Sequence, residues 1–513
     1  MAEIDPRLTD YPVIVIPDVA RIIFQESEEK LLLGLKSGRI LANDEVCGCP
    51  LLQLAFGWPK GMKILLNAGA TVGGKPLISF WGCPSPLTEE NIDFDGFYYS
   101  NKLLLEVGCV LNITETRAAS PKLLSLFVHE IANRRRRLWK LAQSCLPQYE
   151  LHDLNIPETT VPDRHASSIC AALAAHGKIV DPSLLVKKNY VSVYDDWTLR
   201  PRVMEELFNV GFKDIDSPNS LGVTPLMHVY NSYVGGWDGV DRMVWLLSKG
   251  ADINRRLPLS NARTGHLITA QVVGFFLGIL EFQKPDNIYS SWVRLEHKIS
   301  RHRDTLFPNK SITDSCSCAC CPDGCTVLSV ALRQVLGWQY WFQVSEPAFW
   351  LRRLLGFITG WENLDPIIER SVIRCLTFDA LGLNHTCCSE LGGVFGSLKR
   401  KSADEMEGRD EGEIGEIQQE SRNGVEFLEE LMLEFEATFD ELGLPLVEFL
   451  EGYWHTRMAQ HLLECDPYNE NHDREARSIG VVLQAEEAEL DRVSLLIGAG
   501  IKEVIDGDGG SVL

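Results

Sequence analysis

The chain has 513 residues, 45% of them apolar and 23% charged, enough to fold over several cores. Its net charge of −22 sits in the last quarter: residues 402–513 hold 29 Asp or Glu against 7 Lys or Arg, and the rest balances to zero. Such acidity repels nucleic acid and anionic membrane before contact, so the expected partner is another protein, and no small-molecule substrate is indicated.

The first residues lack a basic stretch followed by an apolar one, so no secretory signal is expected. The longest apolar window, Leu267–Leu280, is shorter than the ~20 residues that span a bilayer and reads as a buried helix. A cytoplasmic location follows, with nuclear entry as the alternative because Lys399-Arg400-Lys401 is a short basic run. The fifteen cysteines are then expected to be reduced thiols or metal ligands rather than a disulfide framework.

In chain order, Ala20–Phe24 and Glu29–Lys36 are two short amphipathic runs closed by Gly38, a terminal cap. A second unit starts at Pro50-Leu51-Leu52 and closes at Gly69-Ala70. A third starts at Pro76-Leu77 and closes at Gly108, with an aromatic and Pro-rich insert, Gly82–Tyr99, between its helices. Pro121–Leu146 reads as one long helix. Its run Arg134–Arg137 is expected to be a solvated face opposite Leu138, Trp139, Leu141 and Ala142, with nuclear import or nucleic-acid contact as the alternative. Ser167–Gly177 and Arg202–Gly211 are weaker helix-and-glycine patterns.

The most legible stretch is Asp216–Asn254. Gly222 suits a tight turn, Thr224 can cap a helix and Pro225 fits a first helical position. Leu226, Val229 and Tyr230 follow at helical spacing, and a second amphipathic run closes at Gly250-Ala251-Asp252. Gly324-Cys325-Thr326-Val327-Leu328 has the form of another start. Residues 399–424 are rich in Gly and Glu and read as a disordered linker. Residues 425–463 regain helical periodicity within an acidic helical region, 425–513, in which Asp491–Gly500 looks like a lone second helix.

The sharpest chemical feature is Cys316-Ser-Cys318-Ala-Cys320-Cys321-Pro-Asp-Gly-Cys325, followed by His385-Thr-Cys387-Cys388. Two close-spaced donor groups far apart in the chain suit a tetrahedral structural Zn²⁺ site. Candidate ligands are Cys316, Cys318, Cys320, Cys321, Cys325, His385, Cys387 and Cys388. The alternative is packed thiols or an oxidised pair. A catalytic zinc needs an open position and a nearby acid or base, and no phosphate loop, dinucleotide fingerprint, nucleophile elbow or zincin helix occurs.

The Thr224-Pro-Leu start with its Leu246-Leu247 and Gly250-Ala-Asp close resembles an ankyrin repeat, and the units at 50–72 and 76–112 resemble it more loosely. Asn133–Ala142, Asp196–Pro201, the cysteine run and Leu376–Cys388 also resemble a group of fungal ankyrin-repeat proteins with a Cys-rich insert, which implies no activity. The resemblance implies an all-α, divergent ankyrin-type solenoid. Its expected divisions are 1–150 and 151–300 for repeats, 301–398 for the Cys-rich part, then the linker and the acidic helices.

The implied function is a non-enzymatic scaffold or adaptor that binds a protein on its concave face. The face is expected to use Asn219, Ser220, Val223, Met227, Tyr230, Tyr233 and Trp237. The alternatives are a zinc-dependent enzyme built on the cysteine cluster, and an adaptor acting through the acidic C-terminal helices.

Overall fold

The computed structural model describes residues 18–72, 77, 94–154, 156, 161–186, 191–196, 198–227, 236–258, 262–282, 293, 294, 297, 300, 313, 314, 318–333, 366–386 and 411–464. It is helical, as expected; among the described residues the only paired strands are a two-residue ribbon, β1 (Glu45–Val46) with β2 (Cys49–Pro50). The chain forms two compact units, Met1–Ser217 and Pro218–Leu513. The divisions expected at 150 and 300 fall inside these units.

In the first unit, α1 (Asp18–Phe24) and α2 (Glu28–Lys36) lead to α3 (Leu51–Leu54) and α4 (Pro59–Asn67), then α5 (Phe94–Glu106). Their apolar faces share one core that includes Leu31, Leu51, Met62, Leu65, Leu104 and Phe127. Gly61 is needed for the packing of α4: a Cβ there would lie 1.9 Å from the Trp58 ring. The long helix α6 (Pro121–Cys145) starts at Ser120, whose hydroxyl accepts from the Leu123 N–H. It packs against α8 (Ala166–Ala175) and α9 (Pro201–Val210), with α7 (Gln148–Leu154) between them in sequence.

One closure recurs through both units. At Gly38, Gly69, Gly108, Gly177, Gly211, Gly250 and Gly382 the glycine N–H bonds to the carbonyl three residues back, and the next N–H bonds to the carbonyl five back. This left-handed glycine cap satisfies carbonyls that the helix end leaves over. The residue four before the glycine is buried Leu65, Leu104, Leu173, Leu207, Leu246 or Phe378 in six of the seven. The local signal and the core contact therefore coincide, and that is why the pattern was readable.

The loops after the closures are joined to one another. In the first unit the Asn43 side chain donates to the Gly69 carbonyl at 3.2 Å and accepts from the Thr71 N–H at 2.9 Å, and the Leu77 N–H bonds to the Val110 carbonyl.

The basic run on α6 corrects half of the expected solvated face: Arg134 and Arg135 are buried, while Arg136 and Arg137 are exposed. Arg134 is 3% exposed; its guanidinium donates to the carbonyls of Cys109, Ser183 and Leu105 and to Glu130. Arg135 is also buried, 4.0 Å from the buried Asp163 carboxylate, and Arg136 donates to the Val210 carbonyl at 2.7 Å. Two of these arginines thus bond carbonyls at or beside the ends of α5 and α9, where leftover carbonyls and the negative end of the helix dipole favour a cation. Charge density along a sequence does not reveal which carbonyls lie within reach.

In the second unit, α10 (Gly236–Ser248) and α11 (Thr264–Phe282) are followed by a helix α12 described over 327–333. Among the described residues no helix is long and apolar enough to cross a membrane, and α11 carries buried His266, Thr264 and Thr269 along its apolar face. Thr224 departs from its expected role: residues 225–227 form a turn, and the Thr224 hydroxyl is buried without a hydrogen-bond partner. The turn is held by the Met227 N–H donating to the Thr224 carbonyl at 2.9 Å, and the Thr224 N–H is directed at the Met227 sulfur, 3.4 Å away.

The C-terminal helices pack on the rest of this unit. Helix α13 (Pro366–Ala380) faces α15 (Arg422–Leu442): Arg374 bonds Glu429, and Arg370 pairs with Asp440 at 3.0 Å. After α16 (Leu446–Phe449), the Trp454 indole donates to the Thr377 hydroxyl at 2.9 Å, and α17 runs over His455–Glu464. Residues 411–420, placed in a disordered linker by their composition, form helix α14 (Glu411–Glu420) next to α15. Few apolar side chains are needed when a short helix borrows its order from a packed neighbour. Residues 399–410 and the run Asp491–Gly500 lie outside the described residues.

Candidate metal centre

The loop that carries the cysteines is shaped before any metal is considered. Thr313 and Thr326 form an antiparallel bridge, the Asp314 N–H bonds to the Cys325 carbonyl, and Asp314 Oδ1 accepts from the Cys325 N–H at 2.7 Å. Gly324 completes the turn at φ +96°, and a Cβ there would lie 2.3 Å from the Asp314 carbonyl oxygen, so no larger residue fits. The Cys321 N–H bonds to the Cys318 carbonyl, turning the chain back so that neighbouring sulfurs converge.

The loop is anchored on two sides. His266, fully buried on α11, donates from Nε2 to the Cys325 carbonyl at 2.8 Å, while Nδ1 accepts from the Arg263 N–H at 3.1 Å. An acceptor at Nδ1 sets the tautomer as neutral Nε2–H. On the other side Arg374 of α13 donates to the Ala319 carbonyl at 2.8 Å.

The structure brings together Cys318, Cys320, Cys321, Cys325 and His385. Cys318, Cys320 and His385 have donor atoms within 4.8 Å of one another, and so do Cys320, Cys321 and Cys325. All four thiols are buried. The Cys318 sulfur is 3.8 Å from His385 Nδ1, a separation that suits two ligands of one tetrahedral ion with bonds of about 2.3 and 2.0 Å. His385 Nε2 lies 2.7 Å from Asp379 Oδ1, so the carboxylate holds the far side of the ring and leaves Nδ1 toward the sulfur. The remaining expected ligands, Cys316, Cys387 and Cys388, lie outside the described residues.

The electrostatics favour charged sulfur. The Cys321 thiol is pushed down to about 3, first by hydrogen bonds from Cys320 and Cys325, against the cost of burial and with help from Ser329 and Arg333. Burial works against protonation of His385, but its hydrogen bonds to Asp379 and Cys318 and the Asp379 charge outweigh it and raise its pKa. Cys375, fully buried on α13 one turn before Asp379, is raised well above the usual thiol range, first by burial and then by the charges of Asp379, Cys321 and Cys318.

Sequence reasoning missed Asp379, Asp314, Arg333 and Arg374, all of which support the cluster. Only Asp379 left a trace, standing at the end of a helical run six residues before the histidine. Among the described residues nine cysteines are free, as expected, and Cys49 departs from that expectation in being disulfide-bonded.

Of the expected partner-binding residues whose side chains are described, Met227 is buried, Asn219 and Val223 are half-buried and Ser220 is exposed. Met227 is core, packed with Leu257, Ala262 and Leu267, and Val223 lies half-buried against them. The Asn219 side chain is occupied in its own turn, accepting from the Leu221 and Val223 N–H groups. Ser220 is exposed. Tyr230, Tyr233 and the side chain of Trp237 lie outside the described residues. The period of the start motif does not say which of its side chains turns inward; Leu257, Ala262 and Leu267 pack against Met227.

Comparison with protein-family models, with curated proteins and with solved structures gives no match.

Proposed function

We propose that the chain is a non-enzymatic protein-interaction scaffold: a divergent ankyrin-type array whose second unit is closed by a structural zinc clamp. The observation that supports it best is the repeated layer chemistry. The same glycine cap closes seven segments, and side chains bond across to later loops, as Asn43 does to Gly69 and Thr71 and His266 of α11 does to Cys325. Such layers present a long surface and no enclosed reaction site.

The clamp reading rests on the donor set: thiolates and an imidazole suit Zn²⁺, and Asp379 orients the imidazole. The buried sulfurs and the engagement of Asp379 with His385 favour a structural ion over a catalytic one. Zinc removal should therefore loosen the second unit rather than open a reactive position.

The test is capture of a crosslinked partner by the intact chain, followed by Tyr233→Ala and Trp237→Ala. The reading expects weaker capture at unchanged helicity; unchanged capture, or loss of helicity together with capture, would sink that face as the site.

A second reading is supported by α15. Glu426, Glu430 and Glu441 are exposed along one stripe, opposite Leu428, Leu431 and Phe435 in the core, and Leu433 on the same stripe is 75% exposed. This face suits a basic partner. Truncation near residue 400 would strip α15 from α13, so reversal of the three glutamates to lysine is the better test. Binding that persists in the reversed protein, or is insensitive to salt, removes this reading.

A further inference from the structure

The five described donors do not form one set of four. They fall into two groups of three, Cys318/Cys320/His385 and Cys320/Cys321/Cys325, and Cys320 is the member common to both. A mononuclear tetrahedral site brings its four donor atoms to mutual separations of about 3.8 Å or less. Here neither group extends to a fourth described donor.

We propose that the loop and the segment following α13 hold two divalent thiophilic ions of the zinc class, bridged by the Cys320 sulfur: one ion on Cys318, Cys320 and His385, the other on Cys320, Cys321 and Cys325. The proposal rests on the metal-clamp reading and sharpens it. A thiolate sulfur has several lone pairs and can bind two soft cations at once, which imidazole nitrogen cannot. Cys320 holds the place such a bridge needs, at 0% exposure between donors of both groups.

Charge points the same way. The four cysteines are buried, and bound as thiolates they would bring four negative charges to the site. Two dications neutralise all four. Asp379 lies on the far side of the His385 ring, and the Arg333 guanidinium lies 3.8 Å from the Cys325 sulfur. Cys316, Cys387 and Cys388 lie outside the described residues, and the division into two groups does not need them.

The experiment is elemental analysis of the intact chain purified with zinc, repeated for His385→Ala, Cys325→Ser and Cys320→Ser, with circular dichroism on each. Two ions per chain are expected in the parent, one in His385→Ala and in Cys325→Ser, and fewer than one in Cys320→Ser. Cobalt(II) titration of the parent checks the bridge without substitution: the paramagnetic signal should fall as the second equivalent enters, because a shared sulfur couples the two spins. One ion per chain overturns the bridged pair and leaves the single clamp standing. No ion overturns both. Two ions that remain in Cys320→Ser, or that stay magnetically independent, also overturn the bridge.

Discussion

The imidazole of His266 and the carbonyl of Cys325 are joined by a 2.8 Å hydrogen bond across 59 positions of sequence. It ties the start of α11 to the cysteine loop, and the second ring nitrogen is spent on holding the turn at Arg263. The order of the metal loop therefore depends on a buried side chain that is not itself a ligand.

His266→Ala should leave the Arg263 N–H and the Cys325 carbonyl with one partner fewer and open a cavity in the core. The expected loss is about 3 kcal/mol, within the range for removing a buried hydrogen-bonded side chain. Chemical denaturation would show it in the transition of the second unit; a first-unit transition that shifts equally would contradict the assignment.

Asp379→Asn keeps an acceptor near His385 but removes the charge, and Asp379→Ala removes both. Metal affinity should fall by about tenfold in the first and about a hundredfold in the second, the usual span for a partner behind a ligand histidine. Competition with a colour-reporting chelator measures both. Equal affinities in the three proteins would mean that His385 is not a ligand.

Gly324→Ala places a Cβ against the Asp314 carbonyl at a backbone angle that side chains avoid. The loop should fail to close, with metal content falling below one ion per chain while the first unit keeps its melting behaviour. Metal analysis and calorimetry together decide this, and full metal content in Gly324→Ala would show that the turn is not required.

Arg134→Met removes the group that bonds three carbonyls and Glu130. Unfolding should become easier by about 3 kcal/mol. Arg134→Lys should recover only part of this, since one ammonium cannot reproduce the planar fork. A lysine variant as stable as the parent would return the basic run to the surface role its composition suggests.

Several features could be read from the chain because their causes are local. Glycine after an apolar run predicts a left-handed cap, and Gly69, Gly108, Gly211 and Gly250 each make one with the same two bonds. Pro59, Pro121 and Pro201 begin helices because a first-turn residue needs no N–H. The clustering of cysteines with a distant histidine predicted convergence, and Cys318 and His385 do meet. Acidity likewise marked the C-terminal helices, although it misjudged 411–420.

Other properties exist only between elements far apart in sequence. Arg134 became an internal cap because α6 passes the end of α5, and Met227 became core because Leu257, Ala262 and Leu267 pack against it. The split of the donors into two groups joined at Cys320 depends on where the segment after α13 places His385 against the loop. Spacing along the chain determined which residues could serve as helix ends and ligands. Which carbonyl, carboxylate or sulfur each one meets is a matter of distance in space, and only the packing of the helices sets that distance.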